Sequence, residues 1–156
     1  MSIQYARSVF AFALLGAAGC QRSSAPAAAP VVAHAVDPQT AAAEAALPRM
    51  TVDQVLTRVQ QHDGLVVYDN NSRERYQAGH VPSARWVAYR TVQASDLPAD
   101  PAAPLVFYCG GEQCSACHTA ALTAMSLGHT NVSIMPAGIS GWVAAGKPVV
   151  SGDSPS

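Results

Sequence analysis

Leu105-Val106-Phe107-Tyr108-Cys109-Gly110-Gly111-Glu112-Gln113-Cys114 changes character halfway along. Its first four residues are apolar, with β-branched and aromatic side chains, and predict a short buried strand. The strand ends on Cys109, two glycines open a loop, and Ser115 or Cys117 starts a helix that runs to Leu127. In open α/β sheets, ligand sites lie at such strand ends. Gly110 and Gly111 let the loop curl so that backbone N–H groups point inward, and such a nest beside a helix N-terminus favours an anion. A thiolate or persulfide on Cys109 is such an anion, so the pKa of this thiol should fall and its reactivity rise.

Outward from this stretch, strand and helix signals alternate. Thr51-Val52-Asp53-Gln54 has the form of a capping box, and Val52, Val55, Leu56 and Val59 recur at helical spacing up to Gly64. Leu65-Val66-Val67-Tyr68-Asp69 reads as a second buried strand. Ser72 caps a short helix from Arg73 to Ala78, closed by Gly79. A strand is predicted over Trp86 to Tyr89, a Pro-rich loop over Asp96 to Pro104, a strand over Val132 to Met135 and a short helix over Gly138 to Ala145. The fold class is therefore a three-layer α/β domain with a small, mainly parallel sheet flanked by helices.

Composition sets the outer limits. The chain has 156 residues, one domain's worth, and only 12% are charged against a typical quarter. Nine Lys+Arg against ten Asp+Glu give a net charge of −1, and Lys147 is the only lysine. That balance excludes a basic nucleic-acid footprint. Residues 1–19 carry Arg7, the apolar run Val9 to Leu15 and then small residues, the layout of a secretory signal. Leu14-Leu15-Gly16-Ala17-Ala18-Gly19-Cys20 resembles a bacterial lipobox, which implies an acylated Cys20 as mature N-terminus. Residues 20–48 are rich in alanine and proline and read as a tether; the domain spans 49–152 and a tail 153–156. A periplasm-facing lipoprotein is expected, in the outer membrane by analogy with Gln21 after the cysteine.

Three blocks then carry a family resemblance. They are Asp69 to Ala84 with Gly79-His80-Val81-Pro82-Ser83-Ala84, then Tyr108-Cys109 with its loop, then Ala137-Gly138-Ile139-Ser140-Gly141-Trp142. In this order they resemble the rhodanese-like domain. The resemblance implies a persulfide on Cys109 and sulfane-sulfur transfer, with a small sulfur-containing substrate or a thiol protein as partner and no cofactor. Loop residues Gly110, Gly111, Glu112, Gln113 and Ser115 would line the substrate. The family loop usually carries arginines that hold thiosulfate; this loop has none, and Glu112 adds a negative charge. Cys114 stands where the last arginine would be, so it could resolve a persulfide into a disulfide. The family's helical Glu is Arg75 here, with Asp69 as its expected partner. Asp69, Arg75 and His80 read as structural, and Tyr108 faces away from Cys109 by strand alternation.

Two alternatives follow from the same residues. The missing loop arginines suit a non-catalytic binding or sensor module on this fold. Cys114-Ser115-Ala116-Cys117-His118 also has the form of a c-type haem attachment site, or of part of a zinc or copper site. No resident metal is expected.

Overall fold

A computed structural model of the chain describes residues 37–153. The signal segment, Cys20, the tether up to residue 36 and residues 154–156 lie outside these residues. The sheet is built from β1 (Val66–Asp69), β2 (Arg85–Trp86), β3 (Leu105–Tyr108) and β4 (Val132–Ile134), in the order β2-β1-β3-β4. Every pairing is parallel, and Asp69 stands beside Tyr108 at the carboxyl ends of β1 and β3. Helices α1 (Pro38–Ala46), α2 (Val52–Gln61), α3 (Arg73–Ala78), α4 (Ala116–Ser126) and α5 (Gly138–Ala144) complete the fold. None of the helices among the described residues is long and apolar enough to cross a membrane.

Local chemistry accounts for the helix ends. Thr51 and Gln54 close a reciprocal capping box, Gln54 N–H to Thr51 Oγ1 at 3.2 Å and Thr51 N–H to Gln54 Oε1 at 2.8 Å. Ser72 Oγ accepts from the Arg75 N–H at the start of α3. At the end of α2, His62 takes the left-handed conformation at φ 53°, two residues before the glycine that the sequence suggested as the stop.

The sheet separates two apolar layers. Val67, Val106 and Tyr108 pack with Val55 of α2 and with Met135, Ile139 and Trp142. Tyr68, Leu105, Phe107 and Cys109 pack on the other face with Cys117, Ala120, Ala121 and Ala124 of α4. Strand alternation therefore sends Cys109 beneath α4 and Tyr108 to the opposite layer.

Two boundaries differ from the sequence reading. The tether assigned to 20–48 ends in packed structure: α1 lies along α4, and Leu47 is 4% exposed in the α4-side core. Pro48 accepts from the Ile134 N–H and the Met50 N–H returns to the Ile134 carbonyl, so the chain joins the sheet edge before residue 51. The docking residue is Leu47, the C-cap of α1; no residue within the alanine-rich helix is itself buried. The second difference is β2, which spans Arg85–Trp86 and ends earlier than Tyr89; the Val87 N–H bonds to Asp69 and the chain then turns at Ala88–Thr91.

Candidate active site

The end of β3 is held by polar bonds on its Tyr108 side. Asp69 is fully buried and its carboxylate accepts from Tyr108 O–H at 2.6 Å, Asn71 N–H at 2.7 Å and Asn71 Nδ2 at 2.8 Å. Tyr108 in turn accepts from the Val81 N–H at 3.1 Å. Burial raises the Asp69 pKa above the usual carboxylate value, with the Tyr108 and Asn71 bonds opposing it. Burial, then the Asp69 charge, pushes the Tyr108 phenol far up, so it remains a donor. These bonds lock β1, β3 and the turn at residues 80–84 to one another, and so fix the point from which the next residue starts.

That residue is Cys109, 1% exposed. Its sulfur lies 3.4 Å from Cys117 Sγ and 3.1 Å from the Cys114 carbonyl oxygen. As a thiol, Cys109 donates to that carbonyl. As a thiolate it receives the Cys117 S–H, the largest cause of a pKa brought down to about 5. Burial opposes the shift; the Cys114 thiol and the N–H groups of Cys117 and Gly111 add to it. Cys114 and Cys117 move the other way. Desolvation leads for Cys114, and for Cys117 the leading cause is its hydrogen bond to Cys109. The three thiols thus differentiate into one nucleophile and two proton-bearing neighbours.

The loop around them is clamped from α5 and α3. The Ile139 N–H donates to the Cys109 carbonyl at 2.9 Å and the Ser140 N–H to the Gly110 carbonyl at 3.2 Å. Gly138 has φ +57°, and a Cβ there would collide with the Cys109 carbonyl oxygen and lie 2.6 Å from Gly111 N. From α3, the guanidinium of Arg75 lies against Gly110, where an added Cβ would be 2.9 Å from Nη1. The loop's own lack of a base is therefore offset by a cation from another element.

The residues singled out in the sequence meet here only in part. Cys109, Cys114, Gly110 and Gly111 belong to one cluster with Cys117, whereas the side chains of Glu112, Gln113 and Ser115 are exposed. The N–H groups of Gly111 and Cys117 face the Cys109 sulfur and those of Gly110 and Ala116 face the Cys114 sulfur, while the Cys114 N–H closes a turn onto Gly111 O. The pairing of Asp69 with Arg75 does not form: Tyr108 and Asn71 occupy the carboxylate, and Arg75 reaches outward to the loop. His80 is fully buried, stacked on Tyr76 at 3.8 Å, with Nδ1 at 2.8 Å from the Tyr76 carbonyl. Trp142 is fully buried and donates to the Pro148 carbonyl.

The haem or metal reading does not fit this geometry. Cys117 points inward onto Cys109, and His118 turns toward Glu44 of α1 at 3.9 Å. Covalent haem attachment needs both thiols and the histidine on one accessible side. Among the described residues no group of three or more His, Cys, Asp or Glu side chains is placed to hold a metal ion.

The site belongs to a parallel α/β domain with a cysteine at the end of a central strand, held in a loop clamped from two helices. More narrowly, the chain belongs to the rhodanese-like domain family, whose model matches residues 51–145. No curated protein matches it as a relative. Among solved structures it is similar to the BH2092 protein of Bacillus halodurans, at 19% identity and TM-score 0.63, covering 74% of this chain and 87% of that one. A thiosulfate sulfurtransferase from Pseudomonas aeruginosa aligns at 20% identity and TM-score 0.61, covering 74% of this chain and 23% of that one. A single-domain sulfurtransferase from Saccharomyces cerevisiae aligns at 23% identity and TM-score 0.56, covering 66% of this chain and 97% of that one. At these identities the likeness is one of fold.

Proposed function

We propose that this chain is a sulfurtransferase or persulfide-handling thiol protein in which Cys109 forms the persulfide. The observation that carries the reading is the Cys109 sulfur itself, facing the Cys117 S–H at 3.4 Å with the N–H groups of Gly111 and Cys117 turned toward it. The Cys109 thiolate attacks the sulfane sulfur of a small donor. The donor's S–S bond breaks and its leaving group takes the electron pair. The N–H groups then stabilise the charge on the persulfide. A thiol acceptor, small or on a protein, takes the outer sulfur and returns Cys109 as thiolate. Cys114, half-buried in the same loop, is a second thiol within reach of that exchange. We place the domain at the cell envelope, facing the periplasm and held by an acylated Cys20, on the strength of the sequence before residue 36.

The test is consumption of a sulfane-sulfur donor by the full chain with a thiol or cyanide acceptor, read as sulfide or thiocyanate. Turnover that disappears in Cys109→Ser is expected; turnover equal to wild type in that variant contradicts the reading. The 1% exposure of Cys109 favours a second reading, a non-catalytic binding or sensor module, and a wild-type chain that consumes no donor would select it.

A further inference from the structure

The sequence offered Cys114 as the thiol that resolves a persulfide, but the structure holds another sulfur in direct contact with the reacting atom. Cys117, the second residue of α4, is 2% exposed and its sulfur lies 3.4 Å from Cys109 Sγ. That separation is already in the range of a near-attack contact. Cys114 approaches Cys109 Sγ through its carbonyl oxygen, at 3.1 Å, and the same carbonyl lies 3.9 Å from Cys117 Sγ. The Cys114 backbone is itself fixed by the turn bond from its N–H to Gly111 O at 2.9 Å. The Cys114 thiol also faces Cys109, but as a lesser hydrogen-bond partner than Cys117, and bringing Cys117 onto Cys109 means closing a contact of 3.4 Å that exists.

We infer that Cys117 is the resolving thiol of this site, and that through it the domain reduces a bound persulfide to sulfide. The inference rests on the persulfide on Cys109 proposed above. In the step, the Cys117 sulfur attacks Cys109 Sγ. The bond between Cys109 Sγ and the sulfane sulfur breaks, and the sulfane sulfur leaves with the electron pair as hydrosulfide. The Cys117 proton is released to it or to solvent. A Cys109–Cys117 disulfide forms: the Cys117 sulfur is oxidised by one electron, the departing sulfur is reduced by one, and Cys109 Sγ exchanges one S–S bond for another. A dithiol reductant, small or on a protein, then reopens the disulfide and closes the cycle.

The site supplies the order of events. While Cys109 is a thiolate, its hydrogen bond, then burial, then its charge keep Cys117 protonated. Once Cys109 carries the outer sulfur, the negative charge sits one atom further out and that restraint weakens. Burial still opposes ionisation of Cys117, and the N-terminal turn of α4 offsets part of that cost.

The test uses the reduced full chain in a Cys20→Ser background, mixed with stoichiometric inorganic polysulfide, quenched in acid, and read by intact mass and sulfide release. Cleavage after Glu112 separates Cys109 from Cys114 and Cys117 for mapping. Wild type and Cys114→Ser are expected to end lighter by two hydrogens, as a disulfide joining the two fragments, with one sulfide released per chain. Cys117→Ser, with Cys117→Ala beside it, is expected to end heavier by one sulfur on Cys109, with sulfide release slowed at least about tenfold. Sulfur uptake by these variants shows that their site is folded. A disulfide and sulfide release in the Cys117 variants equal to wild type would overturn the inference and return the role to Cys114. A persulfide that persists in wild type would overturn it while leaving sulfur transfer intact. Failure of Cys109 to take sulfur in every form would overturn both readings together.

Discussion

Tyr108 and Cys109 are neighbours in the chain and face opposite layers of the same sheet, and their surroundings differ in kind. The Tyr108 side is closed by short oxygen and nitrogen hydrogen bonds among Asp69, Asn71, Tyr108 and Val81. The Cys109 side is closed by sulfur contacts to Cys117 and Cys114, which are weaker and can be exchanged for covalent bonds. One face therefore gives β3 a fixed end, and the other spends that fixed position on reactivity. A nucleophile loses little by weak bonding so long as the atom before it does not move.

Substitutions can break or sharpen this contrast. The largest effect is expected from Cys109→Ser, which removes the nucleophile and should lower donor turnover on the order of a thousandfold with little change in unfolding midpoint. Unchanged turnover would erase the distinction between the faces. Gly138→Ala next strikes where both faces meet the loop. Its Cβ would collide with the Cys109 carbonyl and its φ of +57° is unfavourable for alanine, so a loss of about 3 kcal/mol in denaturant unfolding is expected. A wild-type midpoint would show that the loop is free to shift.

Tyr108→Phe tests the anchoring face alone. It leaves the Val81 N–H without its acceptor and Asp69 with fewer donors, a cost of about 2 kcal/mol. The Asp69 pKa is already raised by burial, so its contribution to stability is full below the ordinary carboxylate value and is lost as pH rises through the raised one. Losing the Tyr108 donor raises it further, and the variant should therefore lose more stability than wild type on going from acid to neutral pH. Equal pH dependence of the two unfolding curves would remove Tyr108 from that role. On the reactive face, Cys117→Ala should move the Cys109 titration up from about 5 toward the ordinary thiol range, because its principal donor is gone. Smallest is Arg75→Gln: KM for an anionic donor such as thiosulfate should rise about threefold to tenfold, and less at high salt, with KM for an uncharged trisulfide unchanged. Equal changes for both donors would make Arg75 merely structural.

Much of this was legible in the sequence, and the parts that were not share a cause. The strand from Leu105 to Tyr108, the capping box at Thr51 and the glycine loop after Cys109 are local signals, and the chain folds as they read. Arg75 beside Gly110 is not local: only the packing of α3 against the β3 loop brings them together. Leu47 was hidden by the alanine-rich stretch around it, whose low apolar bulk reads as unable to dock. Cys117 did leave a signal. Ala120, Ala121 and Ala124 follow it at helical spacing and form the buried face of α4, which puts Cys117 on the face that looks down at Cys109. The family-like spacing drew attention to Cys114 instead, because that residue stands where an arginine would.

The most direct measurement is the ultraviolet thiolate absorbance of the reduced full chain across pH, set against Cys109→Ser. In a Cys20→Ser background, one thiolate appearing with a midpoint at about 5, absent when Cys109 is also replaced by serine, with Cys114 and Cys117 ionising only above the ordinary thiol range, is the expected result. Thiolates that appear only in that ordinary range, or an acidic midpoint that survives in Cys109→Ser, would contradict the assignment of Cys109 as the activated nucleophile.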